Sequence, residues 1–247
     1  MHILDVTLIG TFAGVLGTAM GGLIIVLLGK PEATVLSSVL ALAGGIMLSV
    51  VFSDLLPEAI KAAGPVYAFI GLVIGVAFLL LLDFYLPHSH LQKGTDSDFK
   101  RAKYLHTGIL IGIGIAMHNF PEGLAIGSGY TVSEHFGVSL AFVIFLQNIP
   151  EGMAMAAPMK AGYARNWNIL LWTGLAGIPM GIGAFFGVIA GGISNVILSL
   201  ALGFAAGAML YIVFDELLPE ANELSAGHSA TFGSILGIIL GLVVSLF

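Results

Sequence analysis

The chain has 247 residues, 58% of them apolar and only 9% charged, with a mean hydropathy of +1.05, which leaves far too little polar surface to coat a water-soluble globule. Its 14 acidic against 8 basic residues give a formal net charge of -6, which argues against a nucleic-acid partner and favours cations. The absence of cysteine excludes disulfides, thiolate metal sites and cysteine nucleophiles.

The first apolar stretch, near 4–28, is longer than a signal-peptide core and lacks a basic leader and a small-residue cleavage site, so it is expected to remain as a membrane span. Further stretches follow near 34–56 and 66–86, then the one long polar interruption, 87–105, which reads as a solvated loop. Five more apolar stretches lie near 106–128, 136–158, 168–191, 195–218 and 229–247. Each approaches the about 20 residues that cross a bilayer. The reading is an all-α integral membrane protein with about eight transmembrane helices and a single transmembrane domain over 1–247. Within the polar loop, His88 and His90 form an HxH pair, a compositional hint of metal sensing.

Basic residues set the expected orientation. Lys30, Lys93, Lys100, Arg101, Lys103, Lys160 and Arg165 fall on one side, leaving Lys61 alone on the other. The richer side is expected to be cytoplasmic, with both termini outside.

Two internal repeats organise the chain. GGIMLSVVFSDLLPEA, ending at Ala59, recurs as AGAMLYIVFDELLPEA, ending at Ala221, an offset of 162 (216 − 54 for Glu216 and Asp54). The copies sit on the second and seventh spans, which cross in opposite directions, an inverted-repeat construction found in secondary transporters. Between them HNFPEGLAIG from His118 and QNIPEGMAMA from Gln147 match on consecutive, antiparallel spans. Many of the 34 glycines are four apart, a spacing that lets helices approach closely.

The chemistry is concentrated in that central pair. On a helix, His118, Asn119 and Glu122 share one face, and Gln147, Asn148 and Glu151 repeat the spacing. A carboxylate at the centre of a membrane helix costs on the order of 3 kcal/mol. No Lys or Arg occurs between Lys103 and Lys160 to neutralise Glu122 and Glu151. A divalent cation supplies the two positive charges, and neutral His118 adds a borderline ligand. The bland reading is interhelical hydrogen-bond glue, but duplicated ionisable residues at one depth are hard to explain as packing.

HNFPEG at 118–123 and QNIPEG at 147–152 resemble the fourth- and fifth-helix signatures of the ZIP family of metal transporters, the bacterial zinc-uptake branch in particular, and the resemblance covers nearly the whole chain. It implies helices grouped three plus two plus three, with the central pair carrying metal by alternating access. It further implies that His118, Glu122 and Glu151 ligate the principal metal with Gln147 and Met47 beside it. Asn119, Asn148 and Glu216 would flank a second position that shares Glu122 and Glu151. Position 148 is an amide where some relatives carry a carboxylate, and position 147 is Gln where others carry His; both departures remove donor strength.

The expected function is therefore transport of a first-row divalent metal, with Zn²⁺ as cargo moving into the cytoplasm across a bacterial inner membrane. Fe²⁺, Mn²⁺, Co²⁺ and Cd²⁺ also suit imidazole, carboxylate and amide donors. An intramembrane zinc hydrolase would hold similar groups, but HExxH and GxSxG are absent. A passive cation channel would set the same residues in rings within an oligomer. The partners are the metal ion and the bilayer, and a homodimer is compatible with the sequence.

Because the chain has no native cysteine, Ser97→Cys offers a clean topology probe. It is expected to react with a membrane-impermeant thiol reagent only after intact cells are opened. Labelling from outside would reverse the orientation.

Overall fold

The computed structural model describes residues 2–29, 31–85, 97–225 and 227–245, and these contain helices and short connections with no strand. Eight apolar helices follow one another: α1 Ile3–Leu28, α2 Ala33–Ala63, α3 Pro65–Tyr85, α4 Ser97–Val132, α5 Glu134–Ala161, α6 Asn166–Ile193, α7 Asn195–Leu224 and α8 Ser229–Ser245. The first seven are long and apolar enough to cross a membrane, and α8 is a shorter apolar helix. Leu8, Phe12 and Leu16 of α1 and Phe69 and Val73 of α3 are exposed, as expected of faces whose solvent is lipid. His88, His90, Lys30 and Lys93 lie outside the described residues, as do the side chains of Lys100, Arg101 and Lys103.

One boundary differs from the sequence expectation. Residues 97–105 form the first turns of α4 and not part of a loop. Hydropathy marks where the apolar stretch begins, whereas a helix can continue into water wherever its residues are good helix formers, and Lys100, Arg101, Ala102 and Lys103 all are.

The internal repeat is written into the backbone. α2 widens into a π-helical segment at Val50–Leu55 and α7 does so at Val213–Leu217. Leu56 N–H reaches back five residues to the Val51 carbonyl, and Leu218 N–H does the same to Val213. In each copy a proline follows, Pro57 or Pro219. A proline ring cannot donate and presses on the carbonyl four residues earlier, so a wider turn before it relieves the crowding. The two copies also lock together symmetrically. Ser37 of α2 donates to the Ala221 carbonyl at 2.6 Å, and Ser199 of α7 donates to the Ala59 carbonyl at 2.7 Å.

The same symmetry governs packing. α4 lies chiefly against α6 as α5 lies against α1, while α8 lies against α2 as α3 lies against α7. The helices thus sort in space into α1, α4, α5 and α6 on one side and α2, α3, α7 and α8 on the other, with α4 and α5 also meeting α7 and α2. The glycine of each Pro-Glu-Gly sequence is where a neighbour passes closest. A Cβ on Gly123 would run into the Met180 carbonyl of α6, and one on Gly152 into the Thr18 carbonyl of α1. Backbone-to-backbone contact of this kind needs a missing side chain on one partner.

Gly123→Ala tests that contact. Alanine is the better helix former by about 1 kcal/mol, so propensity alone would stabilise the variant. The added methyl is expected to outweigh this and destabilise the folded protein by about 1–3 kcal/mol, read as a lower melting temperature in detergent.

Candidate metal site

α4 and α5 bring their polar faces together in the middle of the helix bundle. His118, Asn119, Glu122, Gln147, Asn148 and Glu151 are all buried, with exposures between 0% and 4%. Each helix runs through its proline, Pro121 or Pro150, as α-helix, so the spacing of the motif residues is kept and each set stays on one face.

Four hydrogen bonds fix the side chains. Gln147 Nε2 donates to Glu122 Oε1 at 2.7 Å, tying α5 to α4. Asn119 Nδ2 donates to the Ala176 carbonyl of α6 at 2.8 Å, and Asn148 Nδ2 donates to its own helix at Ile144 O, 2.9 Å. His118 Nε2 lies 2.9 Å from Glu216 Oε1 of α7. What the bonds leave over is one-sided. Glu122 Oε2, both oxygens of Glu151, Asn119 Oδ1, Gln147 Oε1 and Asn148 Oδ1 are buried without a partner, and the one other such atom among the described residues is the Tyr130 hydroxyl. Burying an acceptor unpaired costs roughly 1–3 kcal/mol, more for a charged group. Unpartnered polar atoms are few in a native fold, yet here six oxygens on neighbouring side chains of α4 and α5 share that condition.

A cavity of about 360 Å³ reaches this cluster from the side where α3 ends and α4 begins. His118 and Glu151 form its floor, and Asp83, Asp215, Glu216 and Glu220 line its walls without a single Lys or Arg. Tyr211 Oη donates to Asp83 Oδ2 at 3.3 Å, so the wall of α3 is tied to that of α7.

The expected ligand set is therefore distributed over three places. His118 and Glu151 face the cavity, Glu122 lies deeper beside Gln147, and Asn119 and Asn148 turn toward α6, where Met180 Sδ is 4.0 Å from Asn148 Nδ2. Glu216, expected to flank a second position together with the two asparagines, lies beside His118. The reason is topological: the asparagine side chains point at α6, whereas Glu216 sits on α7 across the cavity. Met47 is fully buried on α2 and does not line the cavity. Among the described residues, no three His, Asp or Glu side chains converge on a single point suited to one ion.

Sequence reasoning passed over Asp83, although an acid inside LLLLDFY is an intramembrane charge and hence a signal. Asp215 and Glu220 fall near the end of the seventh apolar stretch, where acids commonly meet water, so they too gave little local signal. The Ala176 carbonyl and Met180 carried no local signal at all, since only the packing of α6 on α4 brings them to the asparagines.

Comparison with known proteins supports the same direction. A sequence model of the family described as ZIP Zinc transporter matches residues 85–247. A protein of Enterobacter sp. (strain 638) called zinc transporter ZupT is 33% identical over 246 residues, covering 97% of this chain and 96% of its own. One of the same name from Escherichia coli O7:K1 is 33% identical over 240 residues, covering 94% and 88%. Taken with the bundle of membrane helices, these similarities place the chain in the ZIP family of metal transporters.

Proposed function

We propose that the protein carries Zn²⁺ inward across a bacterial inner membrane, with both termini outside, and that the ion is held by the acceptor cluster of α4 and α5. The observation that carries this reading is the concentration of unpartnered buried oxygens on Glu122, Glu151, Asn119, Gln147 and Asn148. Two carboxylates balance one divalent charge, and the amide oxygens complete a shell that water fills elsewhere. The curated relatives named as zinc transporters favour Zn²⁺ as the cargo over the other metals that suit these donors.

The hydrogen bonds suggest how the ion is passed on. The imidazole nitrogen that would ligate it, His118 Nε2, is engaged by Glu216. A cation held by Glu122 and Glu151 competes for that nitrogen, and when it moves toward His118 it meets the Glu216 carboxylate next. Asp83, Asp215 and Glu220 then offer successive oxygen donors along the cavity. Binding must be strong enough to admit the ion and weak enough at each step to release it. Asn119 and Asn148, turned toward α6, contribute neutral oxygens and add no charge to a second position.

Uptake of Zn²⁺ by reconstituted liposomes tests the site directly. Glu122→Ala is expected to insert normally and transport nothing measurable, because one carboxylate leaves a divalent ion half-neutralised. Native rates in this variant would remove the cluster from the path.

A stability measurement asks the same question without transport. In metal-stripped protein the unpaired Glu151 carboxylate works against folding, so Glu151→Leu is expected to melt higher, by on the order of 1–3 kcal/mol of stability. The stabilisation that Zn²⁺ confers on the native protein should disappear in the same variant. A variant that melts lower and still responds to Zn²⁺ would contradict the assignment.

A further inference from the structure

A second feature lies at the α5–α6 corner, away from the acceptor cluster. α5 ends in a Schellman turn: Ala164 N–H bonds to the Met159 carbonyl and Tyr163 N–H to the Lys160 carbonyl, both at 3.0 Å. Tyr163 takes the left-handed position of that turn, with φ at 58°, where glycine is the usual occupant. Its ring projects outward, 77% exposed. Arg165 follows as the residue before α6, exposed and making no capping bond with its side chain. Among the described residues no acidic side chain pairs with it. Lys160 stands nearby, its Nζ donating to Asn166 Oδ1 at 2.8 Å. Two cations and the uncapped N–H groups of a helix start thus face one corner, with no acid among the described residues that line it.

Behind the corner the surface is apolar and concave. A cavity of about 360 Å³ is lined by Leu105, Ile109, Met159, Tyr163, Arg165 and Trp172. A second, of about 150 Å³, shares Ile109 and Trp172 with the first and runs on to Ala116 and Ala176. Together they make a crevice between α4 and α6, charged at its mouth and apolar along its length. Trp167 and Trp172, in the first two turns of α6, are 71% and 45% exposed, and indole rings near a helix end favour lipid headgroups.

We propose that this crevice binds one anionic glycerophospholipid of the surrounding leaflet. Its phosphate rests on the Arg165 guanidinium and the first N–H groups of α6, with Lys160 beside it, and one acyl chain lies along α4 past Ile109 toward Ala116. Paired cations at a membrane surface select an anionic headgroup. A zwitterionic lipid would bring its own cation, for which the described residues of the corner offer no carboxylate. The deep end of the crevice is Ala176, whose carbonyl accepts the Asn119 amide, so a seated chain braces the backbone that orients that asparagine.

The test titrates purified, delipidated protein with phosphatidylglycerol and with phosphatidylcholine of identical chains, counting bound lipid by native mass spectrometry. The native protein is expected to retain one phosphatidylglycerol about fivefold or more tightly than phosphatidylcholine. Arg165→Gln should bring the two lipids level, and Arg165→Lys should keep most of the preference, which separates charge from misfolding. Ile109→Trp, which fills the crevice and leaves the charges alone, should weaken both lipids. Equal affinities in the native protein, or an undiminished preference in Arg165→Gln, would overturn the proposal. So would full phosphatidylglycerol binding by Ile109→Trp, or its displacement by millimolar inorganic phosphate, since either would mean an anion site without a place for the chain.

Discussion

Two carboxylates, Glu122 and Glu151, are held where neither water nor a basic side chain reaches most of their oxygens. In a membrane interior that arrangement is expensive on its own, and the surrounding polar groups do not relieve it. Gln147 spends its amide donor on one oxygen of Glu122, the amide donors of Asn119 and Asn148 go to backbone carbonyls, and every leftover atom is an acceptor. The fold therefore needs its helices held firmly from outside the cluster, because one hydrogen bond, from Gln147 to Glu122, is all that ties the two polar faces together there.

That support comes from close backbone packing. The Pro-Glu-Gly sequence combines three different roles in consecutive residues. Proline removes a donor within the helix, glutamate supplies the charge, and glycine lets a neighbouring helix pass at backbone distance, α6 at Gly123 and α1 at Gly152. The outer helices brace one another by the same economy of side chains, and by the reciprocal Ser37 and Ser199 bonds between α2 and α7. Polar contacts in the core thus serve the backbone nearly everywhere except at the α4–α5 face, where they are left open.

The inverted repeat produces an asymmetric result from symmetric parts. Asp54 and Glu216 occupy matching places in the two π-helical turns, yet Asp54 accepts from Ser245 of α8 at 2.7 Å, whereas Glu216 meets His118 of α4. Only the second copy opens onto the acidic cavity. The two copies of the repeat thus share a backbone but not surroundings: one faces a cavity and the other is tied to a neighbouring helix.

Most of the helical architecture was legible in the residues alone. Apolar runs of bilayer length, the offset between FSDLLPEA and FDELLPEA, and the duplicated Pro-Glu-Gly motif together required a helical membrane protein with an inverted repeat. They did so because lipid leaves the backbone no option but to bond within each span. The spacing of His118, Asn119 and Glu122 likewise followed from helical periodicity. Which helix each side chain meets did not. Asn119 and Asn148 turn to α6, Glu216 pairs with His118, and Asp83 joins the cavity wall from α3 and meets Tyr211, contacts between residues as much as 128 positions apart. Periodicity assigns a residue to a face of its own helix, but the partner of that face is set by how eight helices pack. In lipid that packing is decided by small-residue backbone contacts spread along whole helices, so no local pattern near the site announces it.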